Sequence, residues 1–130
     1  MSSKLYVIED DSVTVMLLKR YIKRAEWDTE IIHFEYGTDA VAHMIEGAND
    51  AGVLLLDLNL PDMHGVDILQ VLRNSPKYAK LPVIVLTTSN LDHERQACLD
   101  LGVSHFLEKP FNFDLLVSYL RELDVSFVAA

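Results

Sequence analysis

Three short apolar runs in this sequence, and a fourth short strand-like segment, lead into side chains that can hold a metal or take part in group transfer. Glu9 and Asp10 follow the run at 5–8, Asp57 follows 53–56, Thr87 follows 82–86, and Lys109 stands two residues beyond 104–107. Three carboxylates brought together repel one another, and a hard divalent cation bound through oxygen, such as Mg²⁺, relieves that cost most simply. Lys109 would add a mobile positive charge. The set then suits an incoming anion that is tetrahedral and doubly charged, which describes a phosphoryl group. A carboxylate can itself be the nucleophile and form an acyl phosphate. Asp57 is the candidate, because it closes a run that is apolar at every position and would face Lys109 with metal-binding groups beside it. Thr87 offers a hydroxyl to a phosphoryl oxygen, and Asn59 can turn its backbone carbonyl toward the metal.

These residues share a site only if the runs are neighbouring strands, and the segments between them predict that arrangement. Leu5-Tyr6-Val7-Ile8 reads as a buried strand, followed by Val13, Met16, Leu17, Tyr21 and Ile22 at helical spacing, with Asp11 or Ser12 as N-cap. A strand over 30–34 precedes a helix that opens at Gly37-Thr38-Asp39, carries Val41, Met44 and Ile45, and ends at Gly47 or Gly52. Val53-Leu54-Leu55-Leu56 has no polar face, as expected at the centre of a parallel sheet covered by helices. Beyond Pro61 and Gly65, Val66, Leu69 and Leu72 mark a third helix, stopped near Asn74-Ser75-Pro76. The strand over 82–86 keeps its proline at an edge position, and 92–101 is a helix closed by Gly102. A short strand over 104–107 leads to a last helix with Phe113, Leu116, Val117, Leu120 and Leu123 on one stripe. Five such units make an α/β fold, (βα)5: a five-stranded parallel sheet with helices on both faces and right-handed crossovers. Ligands bind such sheets at the carboxyl ends of the strands.

At 130 residues the chain has room for one domain with a real core. Its formal net charge of -9, from 11 basic and 20 acidic residues, opposes the phosphate backbone and speaks against direct nucleic-acid binding. No apolar run approaches the roughly 20 residues that span a bilayer. Glu9-Asp10-Asp11 also interrupts any signal-peptide core. Cys98 is the only cysteine, so no internal disulfide forms and a reducing cytoplasm is the expected compartment.

Four segments carry a family resemblance: Val7-Ile8-Glu9-Asp10-Asp11, the stretch from Leu56-Asp57-Leu58-Asn59 to Met63-His64-Gly65, Val85-Leu86-Thr87-Thr88, and Phe106-Leu107-Glu108-Lys109-Pro110. In this order, each at a strand end, they resemble the receiver domain of two-component response regulators. The resemblance covers about 4–123, so 1–130 reads as a single receiver domain with a tail over 124–130. It implies the strand order 2-1-3-4-5 and Asp57 as acceptor of a phosphoryl group from a sensor histidine kinase. It makes Asp10 a direct Mg²⁺ ligand, Glu9 a ligand through water and Asn59 a ligand through its carbonyl. Lys109 is the implied ion-pairing lysine, on a cis bond to Pro110. Thr87 and Phe106 are the implied switch hydroxyl and the aromatic that follows it. Glu9 stands where aspartate is frequent, and Phe106 lacks the hydroxyl of the frequent tyrosine. The run Leu86-Thr87-Thr88-Ser89 is similar to that of standalone receivers paired with phytochrome-type histidine kinases.

Taken singly, most of these residues have plainer explanations. An acidic triplet at a helix start complements the helix dipole, which accounts for Asp11 fully and for Glu9 or Asp10 in part. A lone aromatic such as Phe106 is an ordinary core residue, and Cys98 fits a small core position. His33, His43, His64, His93 and His105 show no metal-ligand spacing and read as surface or loop residues. Asp57, Thr87 and Lys109 in sequence order are what turn the triplet into a site. An FMN binder of similar fold needs a phosphate-cradling loop where Glu9-Asp10-Asp11 would repel phosphate. A dehalogenase-type phosphatase needs an acid where Asn59 stands. The remaining alternative is a receiver-shaped interaction module that is never phosphorylated, against which the intact acid pocket, Thr87 and Lys109 argue. The chain is therefore expected not to be an enzyme toward other molecules and to catalyse only its own phosphorylation and dephosphorylation. The seven residues after the last helix are too few for an effector, so output is expected through a downstream protein or a histidine phosphotransfer protein. Leu115 and Tyr119, off the apolar stripe, are candidate partner contacts, and a homodimer through the fourth and fifth helical faces is expected.

Overall fold

The computed structural model describes residues 4–27, 29–47, 50–88 and 92–123. Strands and helices alternate without exception along them: β1 (Lys4–Ile8), α1 (Ser12–Arg24), β2 (Ile31–Phe34), α2 (Gly37–Glu46), β3 (Ala51–Asp57), α3 (Gly65–Arg73), β4 (Val83–Thr87), α4 (Asp92–Asp100), β5 (His105–Glu108) and α5 (Phe113–Leu123). All strand pairs are parallel, in the order β2-β1-β3-β4-β5. This is the doubly wound architecture expected from the sequence, with β3 at its centre.

Strand side chains alternate between faces, and that parity divides the core in two. Tyr6, Ile8, Leu54, Leu56, Val83 and Val85 pack with Met44 of α2, Ile68 and Leu72 of α3 and Cys98 of α4. Leu5, Val7, Val53, Leu55, Ile84 and Leu86 pack with Leu18 and Ile22 of α1 and Leu116 and Leu120 of α5. Both faces of β3 and β4 are therefore dry, which is why their sequences are apolar at successive positions.

Several expectations need correction. The buried stripe of α1 is Val15, Leu18 and Ile22, whereas Val13 and Met16 are 55% and 50% exposed. Val15 and Leu18 face the sheet, and Val13 and Met16, about half a turn around the helix, face away. α2 ends at Gly47, and Gly52 belongs to β3, whose start precedes the apolar run. Glu30, Pro82 and Ser104 lie just outside their strands. Tyr119 stacks on the His105 ring, with centroids 3.8 Å apart, and packs against the core instead of standing free for a partner. Leu115 is exposed, as expected. Ser89 and the tail over 124–130 lie outside the described residues.

Candidate functional site

The register of the sheet decides which strand ends meet. Ile8 pairs with Leu56 and Asp57 with Leu86, so the residues just past β1 lie level with the end of β3. By strand parity Glu9, Asp57 and Lys109 continue the α1 and α5 face of their strands, whereas Thr87 and Phe106 continue the face covered by α2, α3 and α4.

Glu9, Asp10 and Asp57 each offer a carboxylate oxygen within 4.8 Å of the others. Lys109 reaches into this group, its ammonium 2.5 Å from Glu9 Oε1 and 3.4 Å from Asp57 Oδ2. Burial and the two acids act on this ammonium in opposite senses; burial disfavours its charge, and Glu9 and Asp57 more than offset that, leaving its pKa raised. Glu9 is fully buried, Asp57 nearly so, and Asp10 is exposed. The Glu9 carboxyl is pushed up to about 7, first by burial and next by the neighbouring Asp57 carboxylate, with Lys109 opposing both.

Local structure fixes each member. Asp11 is taken up as the N-cap of α1: its Oδ1 accepts from the Val13 N–H at 3.0 Å and its Oδ2 from the Thr14 hydroxyl at 2.8 Å. The Asp11 N–H turns back to donate to Glu9 Oε2 at 3.2 Å. Asp57 Oδ1 accepts from the Asn59 N–H at 3.0 Å, so the first turn after β3 also orients the aspartate. The Lys109 N–H donates to the Thr87 carbonyl at 2.8 Å, which ties the lysine to the end of β4, and the Lys109-Pro110 bond is cis. Thr87 itself is buried. Phe106 is half-buried against the α2 to α4 core, with the Arg95 guanidinium 5.0 Å above its ring.

The loop from Leu58 to His64 is held more firmly than the sequence suggested. Asp62 accepts from the Gly37 and Thr38 N–H groups, each at 2.9 Å, and from the Thr38 hydroxyl at 2.7 Å. It thereby caps α2, whose own N-cap residue, Tyr36, makes no side-chain cap bond. His64 caps α3 by accepting the Val66 N–H on Nδ1, and its Nε2 bonds Glu94 of α4. Gly65 passes so close to the loop that a Cβ there would sit 2.6 Å from Leu58 Cα and 2.9 Å from the Asp57 carbonyl. Three other histidines also make specific contacts: His33 bonds the Glu9 carbonyl, His43 lies against Tyr6, and His105 stacks on Tyr119. Asp62 and His64 had no local signal, because their partners are 25 and 30 residues away in sequence.

The acid cluster fits a hard cation on its own terms. Among the described residues it gathers three carboxylates around a single ammonium, and Glu9 Oε1 is a buried oxygen without a hydrogen bond, its contact with Lys109 being an ion pair lacking hydrogen-bond alignment.

The family model described as the response regulator receiver domain matches residues 5–121. The chain belongs to that family. It is similar to the chemotaxis protein CheY1 of Helicobacter pylori, 29% identical over 118 residues that cover 91% of this chain and 94% of that protein. Among solved structures it resembles the Mn²⁺-bound form of response regulator Rcp1, with a TM-score of 0.79 and 27% identity, covering 92% of this chain and 90% of the other. It also resembles the bacteriophytochrome response regulator RtBRR, with a TM-score of 0.80 and 27% identity, covering 95% and 78% of the two chains. Receivers of this family act in two-component signalling, and none of the described helices is long and apolar enough to cross a membrane.

Proposed function

We propose that this receiver domain accepts a phosphoryl group on Asp57 from a phosphorylated histidine of a sensor kinase and passes the signal on by protein contact or onward transfer. The observation that carries the reading is the pairing of an acid cluster, two of its three members buried, with one lysine: Glu9, Asp10 and Asp57 within 4.8 Å, and Lys109 3.4 Å from Asp57. A carboxylate oxygen of Asp57 attacks phosphorus, the new O–P bond forms as the P–N bond breaks, and the electron pair returns to the histidine ring. The Asn59 N–H holds the aspartate in orientation, and Lys109 offers its ammonium to the negative charge of the arriving group. Glu9, Asp10, Asp57 and the Asn59 carbonyl would hold Mg²⁺, which supplies neutralisation of the transferring phosphoryl charge. Once Asp57 carries the phosphoryl group, the Thr87 hydroxyl and the Phe106 ring form the switch pair, on the α4 side of the sheet. The likeness to the phytochrome regulator RtBRR favours a phytochrome-type kinase as donor.

The test is incubation with Mg²⁺ and acetyl phosphate, read as intact mass. The wild-type chain should gain one phosphoryl group and Asp57→Asn none, because an amide is not a nucleophile here. A wild-type chain that gains nothing, while Mg²⁺ binds, would leave the unphosphorylated interaction module as the better reading.

A further inference from the structure

The Asp57 to Gly65 segment closes on itself before α3 begins. Asn59 pairs with His64 in an antiparallel bridge, and the Gly65 N–H donates to the Leu58 carbonyl at 2.8 Å. A displacement of His64 therefore reaches Asn59 through the backbone, and Asn59 in turn donates to Asp57 Oδ1 at 3.0 Å. The His64 ring is engaged at both nitrogens. Nδ1 accepts from the Val66 N–H at 3.1 Å, which leaves the ring proton on Nε2, and Nε2–H points at Glu94 Oε2 on α4. The Glu94 side chain is only 13% exposed, so this charge-assisted bond is shielded on its α4 side although the ring itself is 41% exposed.

We infer that His64 is a positioning residue that straps α4 to the loop beside Asp57, so that the placement of α4 sets the geometry of the metal and phosphoryl site. The inference rests on the phospho-acceptor reading only for the phosphoryl half of its consequences. The contacts form one unbroken chain, from Glu94 to His64 to Asn59 to Asp57, and by linkage whatever tightens one end tightens the other. A partner that seats on α4 and holds Glu94 against His64 would raise the affinity of the acid cluster for Mg²⁺. One that draws Glu94 away would lower it.

Two substitutions separate the strap from the cap. His64→Asn keeps a side-chain acceptor for the Val66 N–H but cannot reach Glu94, and Glu94→Ala removes the strap without touching the loop. Each should weaken Mg²⁺ binding in calorimetry by roughly threefold to tenfold, at or just below the roughly tenfold lower bound for direct outer-shell partners of metal ligands, since His64 acts through the loop. The double variant should be no weaker than either single one, and Glu94→Gln, whose carbonyl still accepts Nε2–H, should recover most of the loss. In ¹⁵N spectra the His64 ring should show one fixed tautomer in the wild type and lose it in Glu94→Ala. The α4 amide shifts caused by Mg²⁺ with beryllofluoride should shrink at least about threefold in both single variants. Unchanged Mg²⁺ affinity and unchanged α4 shifts in folded single variants would overturn the strap. Failure of the wild type to bind beryllofluoride would instead overturn the phospho-acceptor reading, and Mg²⁺ affinity would still decide the strap.

Discussion

At the start of β1, Lys4 lies 2.8 Å from Asp50 and 3.8 Å from Glu30, and the Tyr6 hydroxyl donates to Asp50 at 2.5 Å. Just past the end of the same strand, Glu9 and Asp10 meet Asp57 with a single ammonium, Lys109, among them. The first cluster is closed: it is partly solvated, each polar group has a partner, and Lys4 holds the Asp50 carboxyl below its usual range. The second is open. Its most buried carboxylate is pushed up to about 7, and one of its oxygens lacks a hydrogen bond. A sheet that satisfies its charges at one end and leaves them in excess at the other has reserved the second end for something it does not itself supply.

Four changes would break or sharpen that contrast, beginning with the largest. Lys109→Met removes the one cation that the described residues place at the open end; phosphorylation by acetyl phosphate should slow on the order of 100-fold, as for loss of a charge-stabilising donor. The same variant should lose roughly 3 kcal/mol in urea unfolding without metal, because the buried Asp57 carboxylate loses its cation. Equal rates in variant and wild type would remove Lys109 from the chemistry. Gly65→Ala pushes a methyl against the Leu58 backbone beside Asp57. Phosphorylation should slow roughly tenfold through misplacement of the loop. Stability should fall by about 1–3 kcal/mol from overpacking.

The third change is pH. Because the Glu9 carboxyl titrates near 7 in the folded chain and near 4.5 otherwise, the folded state holds the extra proton between those values. Stability from this group is present below pH 4.5 and is lost as pH rises through 7, the reverse of an ion-paired carboxylate. Asp50 contributes in the opposite direction, losing its share only in acid below its usual value of 3.8. Urea midpoints in EDTA should therefore decline from pH 5 to 8, Glu9→Gln should flatten the decline, and Mg²⁺ should reverse it. A wild-type midpoint that is flat without metal would contradict the burial argument. The smallest effect belongs to the closed end, where Tyr6→Phe should cost about 1 kcal/mol for a lost hydrogen bond and leave phosphorylation untouched. Any slowing of phosphorylation in Tyr6→Phe would blur the division between the two ends.

What the sequence disclosed follows the same division. Strand ends were legible because β3 and β4 are apolar on both faces, and the polar residue that closes each run stands out; Asp57 and Thr87 are visible for that reason. Lys109 and the Glu9-Asp10 pair were legible from their places after β5 and β1. Helix faces were less so, since Val13 and Met16 match a helical period as well as Val15 and Leu18 do, and only the docked sheet chooses between them. The braces of the site were not legible at all. Asp62 capping α2 and His64 bonding Glu94 act across long stretches of chain, so no local spacing announces them. Which of two adjacent acids is buried was equally hidden: Glu9 is enclosed and Asp10 exposed because parity turns Glu9 beneath α1 and α5.

The most direct measurement is to locate the phosphoryl group. After reaction with acetyl phosphate and Mg²⁺, peptide mapping should find a single hydroxylamine-sensitive acyl phosphate on Asp57, absent in EDTA and absent from Asp57→Asn. A phosphoryl group on a histidine, on Asp10, or on no residue of a chain that binds Mg²⁺ would contradict the account.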